Sequence, residues 1–111
     1  MNNLKIQQLV EKIVSDQEKI QSVRKSDDAP SGSEEFYFTY PDDKYLWSVL
    51  KDSEGAHWLY YYPNRDDHSE FMRIGEEGFS ITHGDKLQEV FAIARSKLFG
   101  FDNVLKDILG E

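Results

Sequence analysis

KYLWSVLKDSEGAHWLYYY, residues 44–62, is the stretch on which the fold turns. It holds two runs rich in aromatic and aliphatic residues, Lys44–Lys51 and Ala56–Tyr62, separated by Asp52, Ser53, Glu54 and Gly55. A glycine-bearing break of that length between two runs of period two predicts a hairpin. Alternation sets Tyr45, Trp47 and Val49 on one face of the first strand and Leu46 and Leu50 on the other. In its neighbour it sets Trp58, Tyr60 and Tyr62 opposite His57, Leu59 and Tyr61.

The same period extends on both sides. Residues 35–40 read as a preceding strand with Phe36, Phe38 and Tyr40 on one face, stopped by Pro41, Asp42 and Asp43. After a polar loop at 63–69, residues 70–74 read as a fourth strand and 79–82 as a fifth, with Gly75 and Gly78 marking the turn between them. Connections this short allow only antiparallel neighbours, because parallel strands need crossovers of a dozen residues or more. Residues 35–82 are therefore expected to form an antiparallel meander.

Helical spacing governs both ends. Ile6, Ile13 and Ile20 recur every seventh residue beside Leu9, Val10, Val14 and Val23, which predicts a helix over 3–24. Residues 25–34, KSDDAPSGSE, have the composition of a flexible linker. Over 85–110, Asp85 with Gln88 suggests a capped helix start. Leu87, Val90, Phe91, Ala94 and Leu98 make one apolar face, and Gly100 marks a helix end before Phe101, Val104, Leu105, Ile108 and Leu109. Helices with a single apolar face must cover one side of the sheet, so the expectation is a one-domain α+β protein, a two-layer sandwich. Which sheet face they cover is not fixed by the pattern.

Charge is segregated along the 111 residues. The net charge of −8 lies wholly in 34–85, where twelve acids face four bases, whereas 1–33 and 86–111 are each balanced. A field of that sign repels nucleic acid and anionic membranes and favours basic partners. The chain has no cysteine, which excludes disulfides, thiolate metal sites and cysteine nucleophiles. Its first residues lack the apolar run of a secretory leader, and no stretch approaches the ~20 apolar residues of a bilayer span. A cytoplasmic location is expected.

No catalytic pattern is present, and the expectation is that the chain is not an enzyme. Asp66, His68 and Ser69 are too close together on one loop to adopt triad geometry, and no nucleophile elbow occurs. The 64–70 segment lacks the ligand spacing of a calcium loop and the nitrogen or sulfur ligands of zinc, so it reads as a solvated loop with no metal. No cofactor is implied, and no motif ties the chain to a known family.

Two features point to partners. Whichever sheet face the helices leave open carries tyrosine and tryptophan, the residues enriched at interface hot spots. The acids gather at turns, where they steer a basic protein or simply keep the domain soluble. The expected anchors are Trp47, Trp58, Tyr60 and Tyr62, with Asp42, Asp43, Asp66, Asp67, Glu76 and Glu77 as steering charges. The reading is a small non-catalytic domain binding a basic protein. One alternative is a nucleic-acid mimic inhibiting a nuclease or a defence complex, as phage or bacterial accessory proteins do. Another is a small-ligand-binding domain. A homodimer through the first helix or an open sheet edge is also compatible with the pattern.

Overall fold

A computed structural model of the chain describes residues 3–74 and 79–110, with side chains for 4–74, 86–101 and 103–110. It is an α+β sandwich: helix α1 (Asn3–Ser15), a 3-10 turn (Gln17–Lys19), strands β1 (Gln21–Lys25), β2 (Glu34–Thr39), β3 (Leu46–Lys51), β4 (His57–Tyr62) and β5 (Met72–Arg73), then helices α2 (Phe79–Phe99) and α3 (Phe101–Leu109). The sheet order is β1-β2-β3-β4-β5, every neighbour antiparallel, so the meander is as expected.

Two strand assignments differ from the pattern. Helix α1 stops at Ser15, and residues 21–25 form the first strand, paired with β2. Ile20, just before this strand, and Val23 within it still face the core, as they would have from a helix, so their spacing satisfied both periods. The stop lies at Asp16, an acid at the negative end of a helix dipole. There its carboxylate accepts from the Tyr40 hydroxyl at 3.2 Å and approaches Lys19 at 3.7 Å. Residues 26–33 consequently join two paired strands instead of tethering a separate helix. Ser26 N donates to Glu35 O at 2.9 Å, and Ser33 N to Pro30 O at 2.9 Å.

Residues 79–82 are the opening of α2, not a fifth strand, and Asp85 lies inside that helix. The sequence FSIT is too short for alternation to separate a strand from a helix.

The core lies between the helices and one sheet face. Ile6, Val10 and Ile13 of α1 and Leu87, Val90, Phe91 and Ala94 of α2 pack on Phe36, Phe38, Trp47, Val49 and Leu59. Phe36 and Phe91 meet at 5.2 Å between ring centroids. Register fixes the layering: Phe36 lies opposite Val49 and Phe38 opposite Trp47, while Val49 in turn faces Leu59.

The β3–β4 hairpin is closed as its sequence suggests. Gly55 has φ +87°, a left-handed conformation that favours glycine. Asp52 Oδ1 accepts from Glu54 N and Ala56 N, both at 2.9 Å. Among the described residues, no helix is long and apolar enough to cross a membrane.

Candidate functional site

The sheet face turned away from the helices is the candidate site. Alternation carries Glu35 and Tyr37 of β2, Leu46, Ser48 and Leu50 of β3, and Trp58, Tyr60 and Tyr62 of β4 onto it. In the register Tyr37 lies opposite Ser48, and Ser48 opposite Tyr60. Residues 63–71 fold back over part of this face. The result is a cleft of about 450 Å³ lined by Asp28, Glu35, Tyr37, Tyr60, Tyr62, His68 and Phe71, among others.

Its floor is a buried polar trio. Ser48 Oγ donates to Glu35 Oε2 at 2.6 Å, and the Tyr62 hydroxyl lies 2.9 Å from Ser48 Oγ and 3.4 Å from Glu35 Oε2. Burial pushes the Tyr62 hydroxyl above its ordinary pKa; the Ser48 hydrogen bond pulls it back, and the Glu35 charge raises it further. It therefore stays protonated and donates, as a buried carboxylate requires of its neighbours. Both contacts from the trio fall on Oε2. Among the described residues no buried side-chain nitrogen or oxygen lacks a partner, and Glu35 is one of the residues that line the cleft.

The walls are aromatic. Tyr37 and Tyr62 are 5.4 Å apart, and the His68 ring lies 4.9 Å from Tyr37 and 5.4 Å from Tyr62. Phe71, which is 58% exposed, stands edge-on to Tyr60 at 5.5 Å. His68 is thus drawn down onto the sheet, and its Nε2 lies 3.1 Å from Arg65 O. The 64–70 loop is solvated as its composition suggests, with His68 alone partly buried, where its imidazole covers tyrosine rings that would otherwise face water.

Two cations of the chain itself already use this face. The Arg24 guanidinium lies 4.7 Å from the Tyr37 ring centre, and that of Arg73 lies 4.6 Å from Trp58 and 5.9 Å from Tyr60. At such distances the ring quadrupole attracts a cation. Trp58 also donates through Nε1 to Asp52 Oδ2 at 2.9 Å.

Of the four expected anchors, Trp58, Tyr60 and Tyr62 share the open face. Trp47 does not: it sits on the helix-covered side, 8% exposed, with Nε1 donating to Tyr40 O at 2.9 Å. It belongs to the core. Of the steering acids, Asp42 and Asp43 lie in the β2–β3 turn and Asp66 and Asp67 in the β4–β5 loop. A meander brings alternate connections to the same end of the sheet. Arg65 spans the two, donating to Asp43 Oδ1 at 2.9 Å and Asp43 O at 2.7 Å. Asp67 is engaged with Ser69, and Asp42 accepts from Gln21 at 3.3 Å. Glu76 and Glu77 lie outside the described residues.

Glu35, Tyr37, Ser48, His68 and Phe71 were not among the expected binding residues. For the first three the signal was present in the β2 and β3 alternation, which sets Glu35 and Tyr37 opposite Phe36 and Phe38, and Ser48 opposite Trp47 and Val49. For His68 and Phe71 there was none, since only the path of the loop brings them to the sheet. Compared with known proteins, the chain matches no family model, no curated protein sequence and no solved structure.

Proposed function

We propose that the protein is a non-catalytic interaction domain of the cytoplasm that takes a basic side chain of a protein partner into the open-face cleft. The observation that carries this reading is the pairing of Tyr37, Tyr60, Tyr62 and Phe71 with the carboxylates of Glu35 and Asp28 around one cleft. Aromatic faces with a nearby carboxylate suit a guanidinium or an ammonium group, which gains both ring attraction and charge pairing. The stacking of Arg24 and Arg73 on the same face supports that preference. The acids of the 34–85 segment would speed the approach of such a partner more than they tighten the final complex.

The test is titration with an arginine-rich peptide and an aspartate-rich peptide of equal length, followed by intrinsic tryptophan fluorescence, to which Trp47 and Trp58 both contribute, and by calorimetry. Binding of the basic peptide alone is expected. Tyr60→Ala should weaken it by more than ~1 kcal/mol while leaving the fold intact. Equal binding of both peptides, or an unaffected Tyr60→Ala variant, refutes the reading.

A small cationic ligand is the second reading, because the cleft volume lies within the usual range for small-molecule sites. A thermal-shift screen of small amines separates the two: stabilisation by a free amine, with none by the peptide, favours the small ligand. Nucleic-acid mimicry has weaker support, since Asp43 and Asp67 are engaged by Arg65 and Ser69 rather than aligned in a free row.

A further inference from the structure

On the opposite side of the molecule, α3 presents an apolar face with nothing described over it. Phe99 at the end of α2 and Phe101, Val104, Leu105, Ile108 and Leu109 of α3 are each 38–73% exposed. Positions 101, 104, 105 and 108 follow helical spacing, so they form one stripe. Together the six side chains leave roughly 600 Å² of apolar surface, the upper end of what a monomer ordinarily exposes.

Beside the stripe runs a groove of about 420 Å³ between α2 and the β3–β4 hairpin. It is lined by Lys51, His57, Phe91, Arg95, Phe99 and Phe101, together with Gln88, Ala92 and Ser96. Its charged lining is basic, Lys51 and Arg95, in a chain whose net charge is −8. Arg95 also reaches Glu34 at 3.8 Å, an exposed contact that contributes little. The α3 segment itself carries Asp102 and Asp107 against Lys106, so it is weakly acidic as well as apolar.

We propose that α3 of a second copy of this chain occupies the groove, forming a two-fold dimer in which each copy gives its α3 and receives the other. Three observations select a second copy. The helix and the groove adjoin at Phe99 and Phe101, so one two-fold axis near Val104 and Leu105 closes both contacts at once. Their charges are complementary, and the balanced 86–111 segment is where two copies of an acidic chain meet with least repulsion. The exposed apolar area, taken twice, gives about 1,200 Å², the lower bound of specific interfaces. The open-face cleft stays free in this arrangement.

Sedimentation velocity over a concentration series tests the proposal on the full chain. A concentration-dependent dimer of twice the 13.0 kDa chain mass is expected. Ile108→Asp, at a site 73% exposed, should raise the dimer Kd by about tenfold or more with unchanged circular dichroism. Arg95→Glu should weaken the dimer in the same direction from the groove side. Because the chain has no cysteine, Leu105→Cys introduces a single thiol close to the axis and should give a disulfide-linked dimer on mild oxidation, whereas Lys5→Cys should not. A wild type that is monomeric at every concentration overturns the proposal and leaves α3 to a partner of another kind. A dimer unmoved by Ile108→Asp overturns the placement.

Discussion

Ser48 has no exposure, yet it carries a hydroxyl between a carboxylate and a phenol. Removing that hydroxyl leaves Glu35 buried with only the 3.4 Å contact from Tyr62. Ser48→Ala is expected to lower stability by about 1–3 kcal/mol in urea unfolding. The loss should exceed that of Tyr62→Phe, which leaves the 2.6 Å Ser48 bond in place. Tyr40 makes a second residue-scale prediction. Burial, followed by the hydrogen bond and charge of Asp16, pushes its hydroxyl up to about 12, against ~10 in an unfolded chain. The fold thus favours the neutral phenol. Its contribution is fully present below about pH 10 and is lost as pH rises towards 12. Tyr40→Phe should flatten the decline in urea midpoint between pH 9 and 11 (both values chosen about the ordinary tyrosine pKa). An unchanged slope would show that Tyr40 does not govern it.

At the scale of elements, the β3–β4 hairpin depends on Asp52, whose two oxygens take three N–H donors. The Trp58 indole, then the Ala56 amide, hold its carboxyl below the ordinary range against a smaller opposing effect of burial. With the folded value depressed, the stabilisation is present above about pH 4 and is lost as pH falls below it. Asp52→Asn has a single acceptor oxygen, so either the turn amides or Trp58 lose their partner. A lower urea midpoint at neutral pH is expected, with the gap from wild type narrowing in acid. This hairpin was readable in the sequence because a period of two and a glycine with positive φ both leave local marks. Strand β1 left no such mark. Ile20 and Val23 continue the helical stripe of Ile6 and Ile13 and equally suit a segment that turns into a core-facing strand, and only pairing with β2 decides between them. Residues 79–82 failed in the same way, an alternation too short to resist helix formation. The open-face cleft was legible only in part. Alternation could set Trp58, Tyr60 and Tyr62 on a common face but could not say that Trp47, three residues before the Lys44–Lys51 strand's Leu50, lay beneath the helices. Nor could it place His68 and Phe71, which reach the site through the course of a loop.

At the scale of the whole molecule, charge and shape are divided: acids in the connections at both ends of the sheet, an aromatic cleft on one face and apolar helix on the other. If the acids steer a basic partner, Asp42→Asn with Asp66→Asn should slow association several-fold at low salt and leave dissociation nearly unchanged. Asparagine is the suitable replacement at 42, where φ is +51°, because it tolerates the left-handed region better than alanine. Stopped-flow kinetics at two ionic strengths would measure this, and an equal effect on dissociation would show the acids to be contact residues instead. The borders of the sheet carry a different consequence. On one side β1 is broken by an irregularity between Gln21 and Arg24, with Ser22 at φ +52°; on the other, β5 is only two residues long. Neither offers a straight run of free amides and carbonyls to an incoming strand. The sheet therefore has a fixed width: it resists growth into fibrils or strand-exchanged oligomers, and assembly of this protein is left to its side chains.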